Sequence, residues 1–303
     1  MAVDVPANAE LSSRGLNRPV LAVLCLVAGI APLAARTIAD PLLQLGYGVA
    51  VAATLLGITV TARRSSAWRS SAGSELWTLP FAFFVLAVVQ VLNNSIPQLV
   101  QSAVLHEAPV DGDPLGASVG GTVTIQLLEA LLAIVPIFVL TRAAGLDLGS
   151  IYARVGRFGR WHVLALVVFV GLFVVIGVRA PSYIPIHGTL TLDRYIALAP
   201  ALLVMVLSNG FEEEFLFRGL FLKPLGRSFG VVWANVLQAL VFAYAHLGVT
   251  YVPSAILFIL VAVFPLGLVA GHVMRKSDGV VAPALLHAAL DIPIYLAFLT
   301  FVS

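Results

Sequence analysis

Long apolar runs recur along this sequence, and their length decides the fold class. They fall at about 20–35, 42–62, 76–93, 121–141, 161–178, 198–222, 231–248, 254–273 and 279–300 of the 303 residues. A helix that crosses a bilayer needs about 20 predominantly apolar residues, whereas a transmembrane barrel strand shows about ten residues of alternating character. In lipid the backbone must satisfy its own polar groups, which leaves only helices and closed barrels. The runs are helix-length, and only 11% of residues are charged, against about 25% in soluble domains. An all-α fold follows: a polytopic transmembrane helical bundle of about eight to nine spans, with the lipid bilayer as its solvent.

Charge placement orients the chain. With the N-terminus inside, 14 of the 17 Lys and Arg fall in inner segments, and only Arg36, Arg179 and Arg194 lie outside. The loop after the third run carries Glu107, Asp111 and Asp113 and no basic residue. This asymmetry follows the positive-inside rule and predicts an integral protein of the cell membrane with a cytoplasmic N-terminus. A polar tail over 1–19 precedes the first run, which follows Arg14 and Arg18 and ends in Ala34-Ala35. A cleaved signal would have that shape, but Asp4 and Glu10 in the tail favour a retained anchor. Basic residues sit in short clusters between spans, including Arg154, Arg157 and Arg160, so no nucleic-acid footprint is present. Cys25 is the single cysteine, which excludes an intrachain disulfide.

Ionisable groups inside the runs are the informative exceptions. Each costs about 2.5–3.5 kcal/mol at the bilayer centre and so calls for a partner or a wet cavity. They are Glu129, Glu212, Glu213, Glu214, Arg218, His246, His272, His287 and Asp291. With a rise of about 1.5 Å per residue, Glu213 lies about 13 Å from the inner end of its helix, His246 about 22 Å, His287 about 12 Å and Asp291 about 18 Å. These depths share the middle band of a core about 30 Å thick. His272 falls near the inner surface and is set aside. Glu214 and Arg218 stand four apart in the favoured acid-then-base order, and His287 and Asp291 are also four apart and so share a face of their own run. A carboxylate with two histidines in such a cavity can activate water for attack on an amide and stabilise the oxyanion. The same groups, Glu213, His246 and His287, could instead hold zinc from separate helices, since no HExxH is present.

Three motifs now coincide. Glu213-Glu214-Phe-Leu-Phe-Arg218 fits EExxxR, Phe242-Ala-Tyr-Ala-His246 fits FxxxH, and His287-Ala-Ala-Leu-Asp291 fits Hxxx(N/D). In this order, on successive apolar runs, they resemble the CAAX protease and bacteriocin-processing family, intramembrane endopeptidases related to the type II CAAX prenyl endopeptidase. The resemblance covers about 195–303 as a catalytic core; the spans over 20–180 carry no recognised motif. It implies that Glu213 and His246 activate the attacking water, that His287 and Asp291 form the oxyanion site, and that Glu214 and Arg218 support them. The family has been described both as zinc-dependent and as glutamate-dependent. Asp291 stands where Asn is common, so it must either carry a proton or orient His287 instead. Glu212 extends the pair to a triplet and has no assigned role, and Glu129 belongs to no motif.

The expected activity is hydrolysis of a peptide bond in a membrane-associated protein or peptide. A proton-coupled transporter would also use intramembrane Glu and His, but would spread them over paired repeats. Here they concentrate in the sixth, seventh and ninth runs. A non-catalytic immunity or scaffold protein is the third reading, disfavoured by intact motifs.

Overall fold

The computed structural model describes residues 17–65, 76–103, 118–179, 186–249 and 254–303. The tail to residue 16 with Arg14, Arg69, and the loop with Glu107, Asp111 and Asp113 lie outside these. Among the described residues there is helix and no strand. The helices are α1 (Arg18–Ala34), α2 (Pro41–Arg64), α3 (Thr78–Ala103), α4 (Val119–Ala143), α5 (Arg160–Val178) and α6 (Leu192–Glu213). A π-helical turn (Glu214–Gly219) leads to α7 (Leu222–Phe229) and α8 (Val231–Ala245). The short α9 (Ala255–Phe258) passes through a second π turn (Ile259–Val263) into α10 (Phe264–Ser277), and α11 (Val281–Phe301) ends the chain.

Eight of the resulting helical stretches are long and apolar enough to cross a membrane. The run at 231–248 is the exception, because α8 stops after 15 residues, at Ala245. The sixth run is longer than its apolar content suggests: helix continues with few breaks from Leu192 to Phe229. Local chemistry sets several starts. Asp40 accepts from the backbone N–H groups of Leu42 and Leu43, and Pro41 supplies a preset φ at the first position of α2. Ser118 caps α4 and Thr191 caps α6 in the same way. One face of α5 (Val163, Leu164, Leu166, Val167, Val170, Val174, Val175) is about half exposed and wholly aliphatic. In a soluble protein such a face would be a liability; here it is the lipid-facing surface.

The chain divides into two compact units, one of Met1–Val91 with Phe217–Gly271 and one of Leu92–Leu216 with His272–Ser303. In the first, α1 packs on α2 and α8, and α7 on α8. Its buried side chains include Phe221 and Phe242, and the Phe83 ring lies tilted against Phe221 at 5.0 Å. Asn235 and Gln238 of α8 donate to the backbone carbonyls of Leu268 and Gly267 on α10.

In the second unit α6 packs against α4 and α11, and α11 also against α5. Its core is Leu202, Met205, Val206, Ile292, Leu296 and Leu299, each fully buried. Lipid tails are as apolar as these side chains, so close van der Waals contact must hold the helices together. Gly210 permits it: a Cβ there would lie 2.7 Å from the Ala284 carbonyl oxygen and 3.3 Å from the Ala288 Cβ. The start of α11 is pinned from outside the bundle. Arg154 binds Asp278 at 2.6 Å, Arg157 N–H donates to Ser277 O, and Val280 N–H donates to Arg154 O. Gly156 makes this clip possible, with φ +90° and backbone where a Cβ would stand, 2.5 Å from Ser277 O.

Candidate functional site

The site of the second unit is built where α6 meets α11. Gly210 lets the two backbones approach, and one turn later Glu213 and Glu214 reach the ring of His287. Glu214 Oε1 lies 2.9 Å from His287 Nδ1, and Glu213 Oε2 lies 3.3 Å from Nε2. Asp291, one turn further along α11, places Oδ1 3.9 Å from Nε2, beyond direct hydrogen-bond length. Its other oxygen accepts from Asn209 Nδ2 at 2.9 Å. Asn209 lies four residues before Glu213, so α6 presents an amide and a carboxylate on one face toward α11.

The two glutamates differ in access. The Glu214 side chain is 0% exposed and that of Glu213 is 20% exposed. Glu214 is therefore closed to water and holds the imidazole, while Glu213 can meet a water or a substrate. Proton bookkeeping follows from the geometry. A carboxylate accepts, so His287 Nδ1 carries the hydrogen it gives to Glu214. Nε2 then faces Glu213 and Asp291, and a lone pair there would oppose their oxygens. A hydrogen on Nε2 would instead meet Glu213, so His287, Glu213 and Asp291 form one coupled group.

The structure does not keep the regular helix that the four-residue spacing of Glu214 and Arg218 assumes. The α-helix ends at Glu213, and Glu214–Gly219 form a wider π turn. Such turns are frequent at functional sites because they redirect side chains without ending a helix. Arg218 belongs to the other unit, where its fully buried guanidinium lies over the Phe242 ring at 3.9 Å. His246 meets the edge of the same ring, with centroids 4.7 Å apart. It sits just beyond the C-terminus of α8, not inside a helix, and Nδ1 lies 2.9 Å from Phe242 O. A carbonyl only accepts, which puts a hydrogen on Nδ1; in a neutral ring Nε2 is then the accepting nitrogen.

Four polar partners carry no recognised motif: Asn209, Asn93, Gln126 and Tyr295. Glu212, 8% exposed, accepts from Asn93 Nδ2 at 3.2 Å and from Gln126 Nε2 at 3.5 Å. Tyr295 OH donates to Gln126 Oε1 at 2.6 Å. The available signal was faint: an amide four residues before Glu213 and a phenol four residues after Asp291. His272 is exposed and edge-on to Trp161 at 5.5 Å, in keeping with an interfacial position. Among the described residues no group of three or more His, Cys, Asp or Glu is arranged to hold a metal ion.

With this geometry in hand, residues 195–293 match the family model described as type II CAAX prenyl endopeptidase Rce1-like. The match spans about a third of the chain, from Tyr195 on α6 to Pro293 on α11, and contains Glu213, Glu214, Arg218, His246, His287 and Asp291. No curated protein and no solved structure matches the chain. The protein is a polytopic helical membrane protein, and over this segment it carries a domain of the CAAX protease family.

Proposed function

We propose that this protein is an intramembrane endopeptidase that hydrolyses a peptide bond of a membrane-associated protein or peptide, with Glu213 as general base. The observation that carries the reading is the unequal grip on His287: a sealed Glu214 fixes the ring from one side while a partly open Glu213 faces it from the other. Glu213 takes a proton from water as the oxygen attacks the amide carbon, and the developing oxyanion is met by a hydrogen on His287 Nε2. Glu213 then passes its proton to the leaving amine. Asn209 and Asp291 orient the ring's face, which assigns Asp291 the positioning role rather than a donor's. The resemblance gives His246 a share in activating the water, and its accepting Nε2 suits that work. A prenylated CAAX protein is the first substrate class to try, given the family description. The charge asymmetry supports a cytoplasmic N-terminus in the cell membrane.

Both His287 nitrogens face carboxylates, and the proposed base is itself a carboxylate. Turnover is expected to stay within about twofold after exhaustive chelation, because general-base catalysis needs no Lewis acid. Loss on chelation, with recovery on adding Zn²⁺, would move Glu213, His246 and His287 to the role of ligands. The broader test compares membrane proteomes of cells carrying wild type or Glu213→Gln. A precursor that accumulates uncut only with the variant supports the proposal, and identical cleavage patterns oppose it.

A further inference from the structure

Glu212 is the member of the triplet that the reaction leaves unused, yet its carboxyl group is held by two side-chain amides. We propose that Glu212, Gln126 and Tyr295 are positioning residues that fix the rotation of α6 and so aim Glu213 at His287, an inference that rests on the endopeptidase reading of those two groups. The contacts form a circuit through three helices. It leaves α11 at Tyr295, whose hydroxyl donates to Gln126 of α4. It passes from Gln126 to Glu212 of α6, whose second oxygen is held by Asn93 of α3. The next residue, Glu213, returns to α11 at His287.

Chemistry fixes the direction of this circuit. Both oxygens of Glu212 accept, so both amides turn their NH₂ groups toward it. Gln126, 5% exposed, is then left with an inward oxygen that only a donor can satisfy, and the Tyr295 hydroxyl is that donor. Tyr295 stands one turn beyond Asp291 and two beyond His287, on the same face of α11. Its hydroxyl is within electrostatic reach of Asp291, Glu213, Glu129 and Glu212.

Adhesion does not require the circuit, because the Gly210–Ala284–Ala288 seam already joins α6 to α11. Smooth seams resist separation but resist rotation poorly. Adjacent residues diverge by about 100° around a helix, so anchoring Glu212 toward α3 and α4 sets where Glu213 points. A turn of α6 by about 20° would swing a side-chain tip, some 5–6 Å from the axis, by about 2 Å. A misplacement of about 1 Å can cost about 100-fold in rate.

The test uses the full chain in nanodiscs with an internally quenched farnesylated CAAX peptide, comparing wild type, Tyr295→Phe, Gln126→Leu and the double variant. Each single change is expected to lower kcat about tenfold with KM within about twofold, since it misaims a base without touching substrate. The double variant should also lose about tenfold, because both changes break one circuit. A loss of about 100-fold in the double variant, or losses confined to KM, would overturn the proposal. A second readout needs no turnover: the ¹³Cε1 resonance of His287 in ¹³C-histidine-labelled protein, assigned with His287→Gln. It should shift alike in Tyr295→Phe and Gln126→Leu; an unmoved resonance contradicts the circuit. If wild type cleaves no peptide while the resonance shifts, the farnesylated-CAAX substrate class fails and the circuit stands.

Discussion

His287→Ala is expected to lose both turnover and stability, and Glu214→Gln to separate the two. The imidazole meets Glu214, whose carboxylate has no exposed surface. Removing it takes a hydrogen bond from a buried charge, for which the cost is about 3–5 kcal/mol. It also removes the oxyanion donor, worth about 10²–10³ in kcat. Glu214→Gln keeps the volume and can still accept from Nδ1, so the protein should remain folded while the proton content of the cluster changes. Thermal unfolding of purified protein alongside peptide turnover distinguishes these outcomes. His287→Ala protein that melts like wild type would show that Glu214 is not held as described.

Gly210→Ala is expected to be the most damaging conservative change outside the reacting groups. The new methyl would lie 2.7 Å from the Ala284 carbonyl oxygen and 3.2 Å from the Ala288 nitrogen, which are backbone atoms and cannot rotate away. The two helices must separate, at about 1–3 kcal/mol for overpacking. Glu213 and His287 sit one turn from this contact, so the 3.3 Å approach between them opens as well. Turnover should fall about 10–100-fold. Gly171→Ala on α5 is the control, because a Cβ there meets nothing within 4 Å. It should be neutral or stabilising, as alanine favours helix by up to about 1 kcal/mol over glycine. Equal behaviour of the two variants would remove the close seam from the account.

Hydropathy alone located the spans well where the lipid demanded it. The runs at 42–62 and 121–141 became Pro41–Arg64 and Val119–Ala143. It failed where backbone geometry departs from a regular helix. The start of α6 precedes the apolar run because Asp193 and Arg194 occupy its first turn, and Thr191 caps it. The early end of α8, which places His246 at a helix terminus, and the π turn after Glu213 have no hydropathy signature. In the site, Glu213, Glu214, His287 and Asp291 were legible because charge inside an apolar run is costly and so conspicuous. Asn209, Asn93, Gln126 and Tyr295 were not, because neutral polar groups are common in spans and find their partners only in three dimensions. Glu212 acquired a role only once those partners were placed.

The role of Glu213 as the base that activates water is measured most directly by single-turnover cleavage of the quenched farnesylated peptide by wild type and Glu213→Gln in nanodiscs, with metal content matched. Glutamine retains the shape of Glu213 and one oxygen that can accept from His287 Nε2, but it cannot take a proton, so a loss of about 10²–10⁴ in the chemical step is expected. A Glu213→Gln protein that cleaves at the wild-type rate would contradict the assignment.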